Sequence, residues 1–212
     1  MFCIILVFLN EDVYVCYMVD NKCVSRKCFV VSAPSGAGKT TLVNKLLLDK
    51  PDVFYDSISD TTRKSRTGEV DGRDYNFIGD LEFESGIEDG KYLEWANVHG
   101  NFYGTPSEPM FDAMDDGLYP LMILDVQGYS QMKEKVSSDE LCGIFILPPE
   151  KKEWIRRILG RGEIDSDDLE NRLRNAKREM SVIGEFKYHL RNDDLDVAYS
   201  VFRSIIEREM GL

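Results

Sequence analysis

The apolar positions fall into short unbroken runs and into longer stripes spaced by three and four. Cys28–Ser32 (CFVVS), residues 121–124 and residues 143–147 (GIFIL) are continuous apolar stretches. They close at Ala33-Pro34-Ser35-Gly36, at Asp125 and at Pro148-Pro149 respectively. Unbroken rather than alternating hydrophobicity predicts strands buried on both faces. Residues 40–48 place Leu42, Val43, Leu46 and Leu47 on one helical face, and a helix after Pro149 carries Trp154, Ile155 and Ile158. A long amphipathic helix is predicted over about 167–183, with Leu169, Leu173, Ala176, Met180 and Ile183 in register. Asp165 or Ser166 would cap it and Gly184 would stop it. A final helix spans roughly Leu195–Met210. Residues 57–107 break this rhythm with short alternating segments, many glycines and most of the tyrosines, which suggests a small β-rich insertion. Strands alternating with helices predict an α/β fold around a mainly parallel sheet.

The first residues differ from the rest. The run FCIILVFL at 2–9 is too short to cross a bilayer, which takes about 20 residues, and it lacks the basic start and small-residue cleavage site of a signal peptide. An extra edge strand, an apolar tail and a mis-assigned start codon all fit. The last is favoured for residues 1–17, because Met18 opens a polar lead-in of ordinary length before the first core strand. The expected division is therefore an extension over 1–27 and one domain over 28–212.

Composition narrows the function. With 212 residues and 43% hydrophobic positions, the chain can bury a real core. A formal charge of −12 argues against binding to nucleic acid or to an anionic membrane, so any anionic ligand must meet a local cluster of Lys and Arg. Five cysteines without a C-x-x-C pair support neither a disulfide framework nor a zinc site and point to a reduced, cytoplasmic protein.

The segment Ala33-Pro34-Ser35-Gly36-Ala37-Gly38-Lys39-Thr40 fits the phosphate-loop pattern except that Ala33 replaces its first glycine. Lying between a strand and a helix, its backbone N–H groups make a nest for phosphate oxygens. Lys39 would reach the outer phosphates and Thr40 would ligate magnesium, so a nucleoside triphosphate is the expected ligand. Asp125, at the end of a core strand, stands where such proteins direct magnesium with a carboxylate; an ordinary helix cap is the bland alternative. No N-K-x-D base-reading motif follows the loop, which disfavours a GTPase switch.

From Ser57-Ile-Ser59-Asp-Thr-Thr-Arg63-Lys-Ser-Arg66-Thr-Gly-Glu69 onward the chain resembles the guanylate kinase family, whose members phosphorylate GMP. The likeness continues through Gly72-Arg-Asp-Tyr75-Asn-Phe77, Glu94-Trp95-Ala96, Gly100-Asn-Phe-Tyr103-Gly-Thr105 and Gln127-Gly128. It resumes at Phe145-Ile-Leu-Pro-Pro149, Arg157-Ile-Leu-Gly-Arg161-Gly162, Asn171-Arg172-Leu173 and Asn192-Asp193-Asp194. It thus spans nearly all of 28–212 in the family's order. The resemblance implies a P-loop three-layer α/β fold with a central parallel sheet, a GMP-binding lobe over 57–107 and a helical lid over 157–176.

The resemblance also implies roles. Arg63, Arg66, Tyr75 and Tyr103 would hold the GMP phosphate, with Glu69 bracing the arginines; guanidinium forks and phenol hydroxyls suit a dianion. Glu94, with Ser59 and Thr105, would read guanine, because a carboxylate accepts from the ring N–H and the exocyclic amine. Arg157, Arg161 and Arg172 would close over the ATP phosphates, Arg157 and Arg161 sharing a helix face, and Asn192 would lie beside adenine. The implied partners are ATP with magnesium, and GMP or dGMP, in a monomer or homodimer. His99 and His189 are not needed, since the acceptor phosphate is already ionised. Two departures stand out. Ile123 occupies the first position of the family's D-x-D pair, which leaves Asp125 alone, and Ser65 replaces a proline between the arginines. The alternative to an enzyme is a non-catalytic guanylate-kinase-like binding module, but such modules have usually lost the phosphate loop that Lys39 and Thr40 preserve here.

Overall fold

A computed structural model describes the backbone over 3–9, 12–19, 22–23, 27–66, 68–98, 100–160 and 166–212, and side chains from Lys27 onward except at residues 67, 98–99 and 161–168. The first three strands, β1 (Cys3–Leu9), β2 (Asp12–Val19) and β3 (Lys22–Cys23), pair antiparallel with one another. They add no edge to either of the other two sheets.

The core is a five-stranded, wholly parallel sheet. Its members are β4 (Cys28–Ser32), β5 (Phe54–Asp56), β10 (Tyr119–Ile123), β11 (Leu141–Leu147) and β12 (Tyr188–Arg191), in the order β12-β11-β4-β10-β5. Alternation along each strand divides the core in two. Phe29, Val31, Leu121, Ile144 and Ile146 meet helices α1 (Lys39–Asp49) and α7 (Leu195–Met210) through Leu42, Leu46, Phe202 and Ile206. On the other face Cys28, Val30, Met122 and Phe145 meet α3 (Ser107–Asp115) and α4 (Val126–Lys135) through Met110, Tyr129 and Met132. That is the expected three-layer arrangement, and burial on both faces explains the unbroken apolar runs.

A second sheet holds β6 (Asp60–Thr61), β7 (Asn76–Phe77), β8 (Tyr92–Val98) and β9 (Asn101–Pro106) in the order β7-β6-β9-β8. This is the β-rich insertion, but it also carries a helix the pattern did not predict, α2 (Asp80–Glu88). Phe83 of that helix is fully buried, stacked on Tyr92 and Phe102 at centroid distances of 4.4 and 5.2 Å. Asp60 is buried beside it but fully occupied, accepting from Lys91, Tyr92 and Asn76 at 2.7, 3.0 and 2.8 Å.

Helices α5 (Lys151–Leu159) and α6 (Ser166–Ser181) pack Trp154, Ile158 and Ala176 into a third cluster. One boundary corrects the sequence reading. Helix α6 ends at Ser181 rather than Ile183, and Gly184 sits inside a 3-10 turn, Ile183–Glu185. The turn redirects the chain so that Phe186 enters the core, stacked on Tyr129 at 4.1 Å. Helix α5 ends at Leu159; Arg161, expected to share a face with Arg157, and the candidate cap Asp165 lie outside the described residues.

Candidate active site

The phosphate loop, Asp125 and Asn192 follow the carboxyl ends of the parallel strands β4, β10 and β12, where open α/β sheets place their ligands. The loop after β4 runs from Ala33 to Gly38 and enters α1 at Lys39. Gly38 has φ +94°, and a Cβ there would collide with the Asn192 amide. Two conditions therefore require glycine at this helix entrance: a left-handed backbone and an amide pressed against it. Asn192 is 2% exposed and follows β12; its Nδ2 donates to Ala37 O at 2.8 Å, so it holds the loop from below. Its Oδ1 is the one buried side-chain acceptor without a partner among the described residues.

Helices α5 and α6 reach the same loop. Trp154 Nε1 donates to Ser35 O at 2.8 Å, and Arg172 reaches Ser35 Oγ at 3.3 Å. Arg157 is turned elsewhere, bonding Glu153 at 2.9 Å and the carbonyls of Asn192 and Asp193 at 3.0 and 3.3 Å. Glu153, which also pairs with Arg156, is held at about 2 by these arginines. Trp154 was read from sequence only as an apolar position of its helix, and Glu153 was not singled out.

Asp125 follows β10 and caps α4, its Oδ1 accepting from Gln127 N and Gly128 N at 3.0 and 2.8 Å. The bland reading of this residue is therefore true, and its other carboxylate oxygen takes no hydrogen bond from the described residues. Ser32 Oγ donates to Leu124 O at 2.7 Å, tying the end of β4 to the end of β10 and so the phosphate loop to Asp125. Thr40 is exposed in the first turn of α1. A hydroxyl and a carboxylate are hard oxygen donors, and magnesium commonly takes few protein ligands and keeps its waters, so the pair fits that ion. Glu179 of α6 is a further carboxylate that sequence reasoning missed. Half-buried, it is raised in pKa by desolvation, with Lys39 lowering it and Asp125 raising it, which puts all three within electrostatic reach. The site of the missing family carboxylate, Ile123, is apolar in function as well: it packs on the α1–α7 side of the core and pairs with Val31.

Across the site, Glu94 projects from β8 and is 6% exposed. Thr105 Oγ1 of β9 donates to it at 2.6 Å, and Ser59 Oγ lies 3.5 Å from the Thr105 hydroxyl. Desolvation pushes the Glu94 carboxyl up to about 7, opposed by the Thr105 hydroxyl and reinforced by Asp125. The three residues assigned to one task are thus contiguous. So are those of the second group. Arg63 forms a two-pronged pair with Glu69 at 2.6 and 2.7 Å and lies over the Tyr75 ring at 4.8 Å, while Tyr75 meets Tyr103 edge to face at 6.0 Å. The Arg63 hydrogen bonds hold Glu69 at about 2. Arg66 donates its backbone N–H to Glu69 at 2.8 Å, and its side chain is exposed. His189 is exposed on β12, and His99 lies outside the described residues.

Comparison with known proteins agrees with this geometry. Residues 25–209 match the family model described as guanylate kinase. A guanylate kinase of Dechloromonas aromatica is 45% identical over 184 residues, covering 87% of this chain and 89% of the relative. One from Shewanella frigidimarina is 41% identical over 181 residues, covering 85% and 86%. The crystal structure of guanylate kinase from Anaplasma phagocytophilum superposes with a TM-score of 0.71 at 31% identity, covering 87% of this chain and 86% of that one. The chain belongs to the guanylate kinase family.

Proposed function

We propose that this chain transfers the terminal phosphoryl group of ATP to GMP, giving ADP and GDP, and accepts dGMP as well, since none of the assigned groups needs a 2′-hydroxyl. The observation that carries the reading is the buried Glu94, held by the Thr105 hydroxyl and within electrostatic reach of Asp125. Guanine presents two adjacent N–H donors to such a carboxylate. Adenine presents a lone pair, and a site that leaves a buried acceptor unpaired can reject it by about 10⁴-fold.

In this scheme the acceptor phosphate is held by Arg63, Arg66, Tyr75 and Tyr103 in the lobe 57–107. The bracing by Glu69 presents Arg63 in one orientation before substrate arrives. The donor phosphates lie on the N–H groups of residues 36–40 with Lys39 beside them, and Arg172 and Arg161 of the lid 157–176 close over the outer charge. The leftover acceptor at Asn192 supports its place beside adenine. Arg157 needs to exchange its carbonyl partners to reach phosphate. Thr40 and Asp125 would hold magnesium, which supplies charge neutralisation on the bridging phosphates. Because the GMP phosphate is already ionised, the protein contributes positioning, charge and exclusion of water rather than a base. A reduced cytoplasmic setting is consistent with the buried free thiols of Cys28 and Cys142, which burial pushes up to about 12. Among the described residues no helix is long and apolar enough to cross a membrane.

A coupled ADP-release assay with magnesium and ATP tests the reading against GMP, dGMP, AMP and UMP. Turnover of GMP and dGMP alone is expected. Equal turnover of AMP defeats the guanine assignment, and binding without turnover of any nucleotide favours the module.

The KM for GMP should also depend on pH. Free enzyme holds a proton on Glu94 below about 7, whereas accepting two N–H bonds requires the carboxylate, so binding expels that proton. As pH falls below 7 the KM for GMP is expected to rise about tenfold per unit. Besides Thr105, the ionisable groups facing Glu94 are Asp125 and Lys135, both on α4 and its cap. The GMP phosphate itself titrates near ~6, so Glu94→Gln is the control: the dependence centred near 7 should vanish and that of the phosphate remain. A profile identical in the variant would refute the linkage.

A further inference from the structure

Strand β8, which carries Glu94, is an edge strand: in its sheet it pairs only with β9. An edge leaves backbone N–H and C=O groups without strand partners on one side, so its register rests on a single neighbouring strand. Here the weakness falls at a sensitive place. The β8–β9 pairing shifts between Tyr92 and Glu94, immediately before the carboxylate. Because side chains alternate with a period of two, a slip of one residue turns Glu94 away from the site and brings Leu93 or Trp95 in.

Helix α4 closes that edge. The Gln131 amide takes both backbone groups of Trp95, the residue after Glu94: its Oε1 accepts from Trp95 N at 3.1 Å, and its Nε2 donates to Trp95 O at 2.8 Å. A neighbouring strand would satisfy an edge residue in the same way, and among the uncharged side chains only an amide offers one acceptor and one donor in that fixed fork. One turn later Lys135 Nζ donates to Tyr92 O at 3.0 Å. One turn earlier Gly128 lets the helix backbone come against the carboxylate itself; a Cβ there would lie 2.7 Å from Glu94 Oε2 and 3.1 Å from Cδ. The three contacts, at positions 128, 131 and 135, follow one face of the helix. The same helix begins at Asp125, which caps it at the end of β10. One rigid element therefore spans from the magnesium-side carboxylate to the strand that reads the base.

We infer that Gln131 is a positioning residue for guanine recognition: by pairing both backbone groups of Trp95 it fixes the register of β8, so that Glu94 faces the base at a set distance from Asp125. The inference rests on the reading of Glu94 as the guanine acceptor. It assigns Gln131 no contact with substrate. It also predicts a division of effects that a merely structural role does not. Loosening β8 should weaken the base-dependent part of GMP binding while leaving the ATP side untouched, because the phosphate loop belongs to β4 and α1.

The test compares wild type, Gln131→Met and Gln131→Glu by steady-state kinetics with GMP and with IMP, which lacks only the exocyclic amine, alongside thermal unfolding. Methionine keeps the volume and loses both hydrogen bonds; glutamate keeps an acceptor for Trp95 N and sets a carboxylate against Trp95 O. In Gln131→Met the KM for GMP is expected to rise about tenfold, with the preference for GMP over IMP shrinking at least ~3-fold and the KM for ATP moving less than twofold. Gln131→Glu should change in the same direction and serves alone if the methionine variant does not fold. Unchanged GMP kinetics, or parallel losses for GMP and ATP, overturn the inference. A wild-type enzyme that does not prefer GMP over IMP instead overturns the reading of Glu94 on which it depends, so the two failures are told apart by the wild-type measurement.

Discussion

Glu94→Gln is expected to raise the KM for GMP by about 10²–10³-fold while moving the KM for ATP less than threefold. The size follows from burial. Glu94 is 6% exposed and accepts from Thr105 at 2.6 Å, so its remaining acceptor capacity is shielded from solvent. Glutamine has the same shape but exchanges one acceptor oxygen for an NH₂ donor. If that NH₂ faces guanine, two donors meet without water to relieve them; if the amide flips, its NH₂ donates to the Thr105 hydroxyl and one neutral oxygen is left to accept from two guanine N–H groups. Charge adds to the effect, since a hydrogen bond to an ionised acceptor is roughly twice as strong as a neutral one. Measurement of both KM values in one variant decides the matter. Equal losses for the two nucleotides would mean that Glu94 supports the fold generally and does not read the base.

How far this site could be seen in the sequence depended on the kind of signal each residue leaves. The phosphate loop was legible because its requirements are local: a strand, a nest of backbone N–H groups and a left-handed entrance at Gly38 within eight residues. The core strands were legible because burial on two faces writes a continuous apolar run, as in Cys28–Ser32 and Leu141–Leu147. Strand β12 was not, because only Leu190 of its four residues is buried. Helix α2 was missed for a related reason: it is anchored by Phe83 and Gly86, while Leu81 is 83% exposed, so no apolar stripe forms. The GMP-side residues needed the family resemblance, since Arg63 and Arg66 alone read as a solvated charge cluster. Only the fold shows Arg63 locked on Glu69 and over Tyr75. Gln131 and Glu179 left no signal at all. Each is an ordinary polar residue of an amphipathic helix, and its importance arises from what lies across from it, on β8 in one case and at Lys39 and Asp125 in the other.

Lys39→Ala is expected to lower kcat by about 10³-fold or more while changing GMP affinity less than threefold. Lys39 is the first residue of α1, directly after the left-handed Gly38, so its backbone N–H belongs to the phosphate nest and is kept by alanine. What alanine removes is the ammonium alone. That charge stands within reach of Glu179, and through the same carboxylate its influence meets that of Asp125. Two acids in a site meant for a polyphosphate repel it unless a cation lies among them, and here Lys39 is the cation the sequence sets at the loop. Its loss therefore acts twice: the transferring phosphoryl group loses a partner as charge develops, and the two carboxylates lose the group that offsets them. Binding of GMP should be spared because the residues proposed to hold its phosphate and base, Arg63, Tyr75, Tyr103 and Glu94, lie in or beside the other sheet. A titration of GMP by calorimetry beside the kinetic measurement separates the outcomes. Loss of turnover with GMP binding intact places Lys39 on the donor side, whereas loss of GMP binding would mean that the loop serves the acceptor instead and that the two half-sites have been assigned in the wrong order.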